Sequence, residues 1–575
     1  MTNSSDLTHL VDLAAERLGG SVLHATDDFF ASKDNLLKPQ EAVFIEGKYT
    51  DRGKWMDGWE SRRRRDYAFT TPGPHADFDS AILRLGLPGI VRAFVVDTAF
   101  FTGNYPSACA IEGASIEGHP SLSALLSNDL RWTPILPRSD LKGGSKNYFE
   151  VDSTQRFTHL RFHIYPDGGV ARLRVHGDVM PDARWMGGRA RPQLVDLAAA
   201  EHGALVVSCN DMFFGSRHNL IMPGRGVNMG DGWETKRSRR AGPDWVVLRL
   251  ATEGNIERAI VDTLHFKGNA PDFAALDVTT VEPGGADPDG AKDDGWIPLL
   301  AKTSLQPHTH HVFENELAGS PGARTGATHV RMRIWPDGGV SRLRLFGIVT
   351  DAGRERAGMR YLRAMPDPEL EGALRSCCGS SAWVNAMRDE RQKNPASYAS
   401  LDALKLRAAE VWNALGRADW DDAFRAHPRI GEQKAEATQS AVAQGWSAKE
   451  QASVDTASEA TKDELRATNV AYEAKFGRIY IVCATGKSVT EMLAIAKERM
   501  KSDPEPELRR AALEQSKITD LRLEKLVLRW DPSPLTSSTS RAAAPPRVCP
   551  SSSRRRTSTA PTPRSTVVTP TPTGA

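Results

Sequence analysis

The sequence has few of the features that mark secreted, membrane-spanning or nucleic-acid-binding proteins. Six cysteines occur in 575 residues, two of them adjacent at Cys377 and Cys378, and this pattern excludes a disulfide framework. The net charge of +2 gives no electrostatic reason to expect a nucleic-acid partner or a membrane surface. No apolar run reaches the about 18 residues of a membrane helix, and the first residues lack a signal peptide. We therefore expect a cytoplasmic protein with no nucleic-acid partner and no membrane partner.

An internal duplication is the main feature that the sequence does have. Residues 158–177 (THLRFHIYPDGGVARLRVHG) recur as residues 328–347 (THVRMRIWPDGGVSRLRLFG), with 13 of 20 positions identical. Apolar and polar residues alternate as in half-buried strands, and Pro-Asp-Gly-Gly favours a turn, so each copy is predicted to form a β-hairpin. Four further motifs are duplicated in the same order: LVDLAA at 10–15 and 194–199, TDDFF and NDMFF at 26–30 and 210–214, DGWE at 57–60 and 231–234, and VDT at 96–98 and 261–263.

The spacing of these motifs predicts two similar domains. A repeat of roughly 165 to 185 residues is far longer than a solenoid unit, so it indicates duplication of a whole domain. Short apolar runs separated by Gly, Pro, Asn and Asp predict antiparallel all-β sandwiches of jelly-roll type. We place the first sandwich at residues 1–183 and the second at residues 184–352.

The duplicated motifs resemble those of allantoicase, the enzyme that hydrolyses allantoate to ureidoglycolate and urea. The resemblance covers about residues 5–350 and implies the twin jelly-roll modules of that family. Such an enzyme must anchor a carboxylate, which an arginine fork binds well, and must activate water or hold a ureido NH2 group, which a carboxylate can do. The candidate substrate-binding residues lie in or beside the two DGWE motifs: Asp57, Glu60, Arg63, Asp231, Glu234 and Arg237.

A structural interpretation of the same residues stays open. Asp-Gly is also an ordinary turn, the Trp of each DGWE motif is expected in the core, and the basic run after it also suits a solvated face. The cluster of His308, His310 and His311 has no counterpart in the first repeat, so we assign no metal site to it. Whether the allantoicase-like part uses a cofactor is left open, as is the repeat that carries its active site.

The composition and the apolar periodicity of the sequence change after the second repeat. Beyond a linker at residues 353–365, Gly and Pro become rarer and apolar residues recur at helical spacing, which predicts an all-α domain at residues 366–531. Helices are predicted from Leu401 onward and at residues 461–476, 489–500 and 507–528, the third of these four capped by Ser488 or Thr490.

Four motifs in this helical region resemble those of 2-oxo-4-hydroxy-4-carboxy-5-ureidoimidazoline (OHCU) decarboxylase, a cofactor-free helical enzyme of urate breakdown that yields (S)-allantoin. The motifs are AHPRIGE at 426–432, WSAKEQ at 446–451, NVAYEAKFG at 469–477 and KITDLRL at 517–523. The resemblance implies three catalytic residues, His427, Glu450 and Arg522, and four substrate contacts, Pro428, Ser447, Gln451 and Ile479.

The chemistry of decarboxylation suits these residue types. Loss of CO2 leaves an enolate-type anion, which needs stabilisation of negative charge and delivery of one proton. His427 can act as acid or base because its unperturbed pKa is near neutrality, and Pro428 stiffens the loop that holds it. Glu450 and Ser447 have a structural alternative, because Ser-x-x-Glu is also a capping box. The structural alternative for Arg522 is a surface arginine held in a salt bridge.

Residues 532–575 are rich in Pro, Ser, Thr, Ala and Arg and are expected to form a disordered tail. An alternative hypothesis is an out-of-frame read, because codons for residues 535–552 permit a shifted peptide, HVLDISRGRPAAGVPVE, that resembles the start of 5-hydroxyisourate hydrolase. Sequencing the DNA tests this hypothesis, and codons incompatible with that peptide would refute it.

These observations together predict a bifunctional enzyme of purine breakdown that acts on two small ureides, allantoate and OHCU, and forms a homo-oligomer. Two alternatives belong to other classes of protein. The twin sandwiches could be ligand-binding or carbohydrate-binding modules attached to a single decarboxylase, or the helical domain could be a structural or oligomerisation unit.

Overall fold

The computed structural model describes residues 6–64, 77–186, 192–238, 242–430, 446 and 458–528. These residues form two antiparallel β-sandwiches followed by a helical domain, which confirms the predicted fold class. The predictions for Ser447, Glu450 and Gln451, and for the tail at 532–575, lie outside the described residues.

The first sandwich is built from strands that alternate between buried and more exposed residues. Its elements are β1 (Val11–Asp12), β2 (Ser21–Ala25), β3 (Tyr49–Thr50), β4 (Gly53–Lys54), β5 (Trp59–Glu60), β6 (Asp79–Asp97), β7 (Ala108–Ala114), α1 (Leu122–Leu125), β8 (Thr133–Asp140), β9 (Lys146–Glu150), β10 (Arg156–Tyr165), β11 (Gly169–Val170) and β12 (Arg172–Val179).

The second sandwich repeats the strands of the first, except that the β3–β4 pair has no counterpart among its described residues. Its elements are β13 (Val195–Asp196), β14 (Leu205–Cys209), β15 (Trp233–Glu234), β16 (Asp244–Asp262), β17 (Phe273–Thr279), β18 (Ile297–Ser304), β19 (His310–Phe313), β20 (Ala327–Trp335), β21 (Gly339–Val340) and β22 (Arg342–Val349). The strand order β1-β12-β6-β10-β7-β8 of the first domain becomes β13-β22-β16-β20-β17-β18 in the second. The duplication seen in the sequence is therefore a duplication of topology.

One long strand organises each sandwich, and it corrects the hairpin prediction. The 19-residue β6 pairs with β10 mainly along its first half and with β12 along its second half. Although β10 and β12 are joined by the Pro-Asp-Gly-Gly turn, each of them pairs with β6 and they are not neighbours in the sheet. The same holds for β20 and β22 on either side of β16. The strands and the turn were predicted correctly, but the hairpin was wrong.

The tryptophan of each DGWE motif is a core residue. Trp59 and Trp233 are fully buried, and each indole Nε1 donates a hydrogen bond over 2.8 Å to a backbone carbonyl, that of Asp27 or Asp211. A buried indole contributes a large apolar area once its N–H is satisfied. These tryptophans fix the DGWE loops to the body of each sandwich.

The helical domain contains the remaining helices of the described chain: α2 (Asp351–Ala364), α3 (Asp367–Cys377), α4 (Ser381–Lys393), α5 (Leu401–Ala414), α6 (Arg417–Arg425), α7 (Glu459–Phe476), α8 (Val489–Arg499) and α9 (Pro504–Leu528). Ser488 caps α8 in a capping box with Glu491, and Gly477 ends α7 with φ of 68°. The periodicity found in the sequence therefore located α5, α7, α8 and α9.

The segment expected to be a linker forms a helix that packs on both sides. Helix α2 starts directly after β22, and its Gly353 lies so close to the carbonyl of Glu253 that a Cβ atom would not fit. Gly358 makes an equally close approach to the carbonyl of Val527 on α9. Residues 353–365 thus join the second sandwich to the helical domain as packed structure. None of the helices in the described part of the chain is long and apolar enough to cross a membrane.

Candidate active sites

The aspartates of the two DGWE motifs lie in buried ion pairs. Arg172 on β12 donates to Asp57 over 2.7 Å, and Arg342 on β22 donates to Asp231 over 2.8 Å. All four side chains are at most 10% exposed. Both arginines come from the duplicated strand, so each repeat ties its DGWE loop to its own Pro-Asp-Gly-Gly segment.

The electrostatics of these pairs favour the charged carboxylate. Burial by itself would raise the pKa of Asp57, but the hydrogen bonds from Arg172 and from the backbone N–H of Val43 hold that pKa below its usual value. The pKa of Asp231 is lowered against the effect of burial by Arg342 and by Arg17, a residue of the first repeat. The substrate-binding role of both aspartates stays a prediction, and their geometry favours a structural one.

The glutamates of the two motifs occupy a more open position. The amide of Asn104 donates to Glu60 over 2.7 Å, and the amide of Asn269 donates to Glu234 over 2.6 Å. Burial raises the pKa of Glu60, against the hydrogen bond from Asn104 and the charge of Arg63. Each glutamate is half-buried, so each carboxylate lies at the boundary between the sandwich and solvent.

The two repeats differ at the arginine that follows. Arg63 forms an ion pair over 3.0 Å with Asp167, the aspartate of the Pro-Asp-Gly-Gly turn, and also donates to the carbonyl of Gly103. Arg237 is exposed and has no ion pair or hydrogen bond within the described part of the chain. A guanidinium without a protein partner is available for a carboxylate ligand.

The helical domain contains a cavity that opens to solvent and has, together with its open part, about 450 Å³ of empty space. His427 and Pro428 form one wall, directly after the end of α6, and Ile518 and Leu521 of α9 form another. The remaining wall is the run of residues 480–485 (YIVCAT) between α7 and α8. The asparagine side chain of Asn469 on α7 donates to the carbonyl of Ile430 over 2.9 Å and so holds the His-Pro loop in place.

Buried charges fix the backbone of the 480–485 wall. Arg499 donates to the carbonyl of Ile481 over 2.7 Å and to Glu507 over 2.7 Å. Tyr472 donates to the same Glu507 carboxylate, and all three side chains are buried. The N–H of Cys483 donates to Glu514 over 2.8 Å. These hydrogen bonds therefore fix the conformation of the wall.

Comparison with known proteins adds independent information on the sandwiches. The family model called Allantoicase repeat matches residues 11–180 and, a second time, residues 195–350. The chain belongs to the allantoicase family. A probable allantoicase of Burkholderia mallei is 46% identical over 338 residues, which are 59% of this chain and 94% of that protein. A probable allantoicase of Streptomyces coelicolor is 43% identical over 355 residues, covering 62% of this chain and 89% of that protein.

The helical domain matches a second family. The family model called OHCU decarboxylase matches residues 363–524. A solved structure of OHCU decarboxylase in the presence of (S)-allantoin is 35% identical, covers 27% of this chain and 97% of that chain, and has a TM-score of 0.23. The protein is thus a bifunctional enzyme of purine degradation, with allantoicase and OHCU decarboxylase activities. Since both repeats match an enzyme family, the interpretation as carbohydrate-binding modules loses its basis.

Within the OHCU decarboxylase domain, the structure brings together some of the predicted residues. His427 and Pro428 line the cavity, and Arg522 lies one helical turn after the cavity residue Ile518 on α9, where it donates to the carbonyl of Ser376 over 3.4 Å. Ile479 is half-buried and packs against the helical core, next to the wall and not among its lining residues. Glu450, Ser447 and Gln451 lie outside the described residues.

Sequence reasoning missed most of the 480–485 wall and its support. The run is apolar and is bounded by Gly477 and Gly486, which is the signal of a short extended segment between two helices. Arg499 and Glu507 gave no signal of their own, because charged residues in a predicted helix are normally solvated.

In the allantoicase part, the histidines of the second repeat separate into different roles. His311 accepts a hydrogen bond from the N–H of Gln306 over 2.8 Å, and its Nδ1 lies 3.0 Å from the carbonyl of Val261. Asn147 makes the same two contacts in the first repeat, with the N–H of Lys142 and the carbonyl of Val96. His311 is therefore structural. Among the described residues, no three His, Cys, Asp or Glu side chains are grouped so as to hold a metal ion.

Proposed function

We propose that the two reactions of this enzyme take place at separate sites, OHCU decarboxylation in the cavity beside His427 and allantoate hydrolysis at the DGWE edge of the sandwiches. The observation that carries the first assignment is the cavity itself. It is lined by His427 together with Pro428 and residues 480–485, whose conformation is fixed by a buried arginine, Arg499.

In the proposed decarboxylation, His427 is the acid–base catalyst and Pro428 keeps its loop rigid. As CO2 leaves, the charge of Arg522 stabilises the developing anion, and His427 delivers the proton that completes the product. We propose Glu450 as a further catalytic residue, and Ser447, Gln451 and Ile479 as substrate contacts. The reaction as written needs no cofactor.

In the proposed hydrolysis, the arginine after the DGWE motif binds the carboxylate of allantoate, and the DGWE glutamate accepts a hydrogen bond from a ureido group. The residues are Glu234 and Arg237 in the second repeat and Glu60 and Arg63 in the first. Support comes from the Asn269–Glu234 hydrogen bond, which orients a half-buried carboxylate beside an arginine with no partner in the described chain. Asp57 and Asp231 stabilise the loop that carries both.

We also propose that the enzyme is cytoplasmic, forms a homo-oligomer and folds its twin domains as jelly rolls. The cysteine usage of the chain supports the compartment. The exposed aromatic pair Phe213 and Phe214, at 70% and 60% exposure, supports association.

The test uses the purified full-length chain and follows CO2 release from OHCU and urea release from allantoate. His427→Asn should lower the kcat of decarboxylation by at least about a hundredfold. Urea release by the same variant should stay at the wild-type rate, which shows that the chain is folded. Decarboxylation by His427→Asn at more than a third of the wild-type rate would overturn the assignment.

The allantoicase assignment has its own test in the same assay. Arg237→Gln should raise the KM for allantoate at least tenfold, with chelated and unchelated enzyme compared so that a metal requirement is detected. An unchanged KM for the Arg237→Gln variant would remove Arg237 from the site.

A further inference from the structure

The two sandwiches make equivalent hydrogen bonds at the edge where β6 and β16 end, and the residues that these bonds align differ in chemistry. The hydroxyl of Thr98 donates to the carbonyls of Lys142 and Ser145, and that of Thr263 donates to the carbonyls of Gln306 and Thr309. Four positions are therefore equivalent in pairs, with histidine only in the second repeat: Phe100 and His265, Gly144 and His308, Lys146 and His310, Asn147 and His311.

The second repeat keeps its histidines at a cost in backbone energy. Gly144 has φ of 63°, a conformation that glycine adopts freely, whereas His308 holds φ of 55° with a full side chain. Such a residue is strained by about 1 kcal/mol or more. The ring of His308 accepts a hydrogen bond from the N–H of His265 over 2.9 Å, whereas the positive φ of His265, 74°, is shared with its equivalent Phe100, at 68°.

The charged residues around Asp97 in the first repeat differ from those around its equivalent, Asp262, in the second. In the first repeat, Lys146 forms an ion pair with Glu41 over 2.9 Å next to Asp97. In the second repeat, Arg225 occupies the position of Glu41 and pairs with Asp262 over 3.0 Å. His310 occupies the position of Lys146, and its Nδ1 lies 3.3 Å from Asp262. A buried carboxylate thus lies beside an imidazole that is 44% exposed.

The loop before the DGWE motif is longer in the first repeat than in the second. Val43 and Asp57 are 14 residues apart, whereas their equivalents Val227 and Asp231 are 4 residues apart. The ten additional residues of the first repeat include Phe44, which stacks on Phe100 with a centroid distance of 5.8 Å. In the second repeat, the N–H of His265 donates to the ring of His308 over 2.9 Å, and the ring of His265 lies 2.9 Å from the carbonyl of Gly226.

We infer that the second repeat alone carries the allantoate-hydrolysing centre, with His310 as its acid–base catalytic residue and Asp262 as the residue that positions it. This inference rests on the proposed allantoicase site and narrows it to one repeat. The first repeat, which has Lys146 in place of His310 and Phe44 stacked on Phe100 at this edge, is a structural partner.

The reaction balances with one histidine. His310 gives its proton to one ureido nitrogen as the bond from that nitrogen to the central carbon of allantoate breaks, and the lone pair of the other ureido nitrogen forms a C=N bond to the same carbon. Water then adds to this carbon, the C=N electron pair returns to the nitrogen, and His310 takes the proton that the water loses. Urea leaves, ureidoglycolate keeps the hydroxyl group, and the imidazole returns to its starting state.

The experiment measures urea release from allantoate by the full-length chain. His310→Gln should lower kcat by at least about a hundredfold. The rate of urea release by His310→Ala should rise at least tenfold when imidazole is added. Asp262→Asn should lower kcat with the KM for allantoate unchanged, as expected of a positioning residue. CO2 release from OHCU by each variant shows that the chain is folded.

Two substitutions serve as matched controls. Lys146→Gln changes the equivalent position of the first repeat, and His311→Asn introduces the residue that makes the same hydrogen bonds there. Both should release urea within threefold of the wild-type rate. The inference is overturned if His310→Gln keeps a third of the wild-type rate, if Lys146→Gln loses as much as His310→Gln, or if imidazole restores nothing. Absence of urea from the wild type would instead refute the proposed function, and this inference with it.

Discussion

Replacement of Arg499 by leucine tests how much a buried ion pair stabilises the helical domain and the wall of its cavity. Arg499 and Glu507 are both buried, and the guanidinium holds the carbonyl of Ile481 as well as the Glu507 carboxylate. Loss of one member of a buried ion pair leaves an uncompensated charge, which costs about 3–5 kcal/mol. Arg499→Leu should therefore lower the folding equilibrium constant of the helical domain by at least about a hundredfold.

The double variant Arg499→Leu/Glu507→Leu gives the internal control. It removes both charges, and its remaining costs are the hydroxyl of Tyr472 and the carbonyl of Ile481, each of which loses its partner at about 1–3 kcal/mol. The double variant should thus be more stable than Arg499→Leu alone, and addition of Tyr472→Phe should recover a further part of the loss. Both variants should raise the KM for OHCU, because Ile481 has lost the donor that fixes its carbonyl.

The assay is guanidinium-induced unfolding followed by far-ultraviolet circular dichroism, with OHCU kinetics on the same samples. The reasoning would be refuted by an Arg499→Leu variant that loses less than about 1 kcal/mol, or by a double variant that is less stable than the single one.

Three further predictions concern the sandwiches and the His-Pro loop. Burial lowers the pKa of His159 from 6.5 to about 4. Between pH 6.5 and pH 4, His159 is therefore protonated in the unfolded chain and neutral in the folded chain. Stability should fall by about 3 kcal/mol over this range, and His159→Gln should flatten that slope in pH-dependent thermal unfolding. The Gly339→Ala substitution places a Cβ atom about 2 Å from the ring of Phe266, so it should destabilise the second sandwich by about 1–3 kcal/mol in denaturant unfolding, whereas Gly268→Ala, with open space around it, should be nearly neutral. Asn469→Leu removes the donor to Ile430 and should raise the KM for OHCU more than it lowers kcat; an unchanged KM would mean that the loop is held by other contacts.

Much of the fold could be predicted from the sequence because its signals are local. The alternation of apolar and polar residues predicted β10 and β20, and helical periodicity predicted α7, α8 and α9. Ser488, a typical capping residue, marked the start of α8. The hairpin prediction failed because alternation identifies a strand and not its partner. The partner is decided by β6, a strand long enough to pair with β10 and β12 at different points along its length.

The linker prediction failed for a related reason. Residues 353–365 contain no strong apolar stripe, yet Gly353 and Gly358 allow close packing against the backbone of the second sandwich and of α9. Tertiary contacts of this kind leave little trace in composition.

In the candidate sites too, local motifs were predicted from the sequence and tertiary contacts were not. Motifs pointed to His427 and Pro428, which line the decarboxylase cavity, because a reactive side chain in a specific sequence context is a local signal. The 480–485 wall contributes backbone and apolar groups, which sequence reasoning assigns to the core. The different roles of His310 and His311 became visible only when the equivalent residues Lys146 and Asn147 could be aligned in space.

The central claim is that one chain carries two independent active sites, and a crossed measurement tests it most directly. Urea release from allantoate and CO2 release from OHCU are measured for the wild-type chain, His427→Asn and His310→Gln. We predict that His427→Asn loses only CO2 release and that His310→Gln loses only urea release, each by at least about a hundredfold. A single substitution that abolishes both activities in a folded chain, or a wild-type chain that releases only one product, would contradict the account.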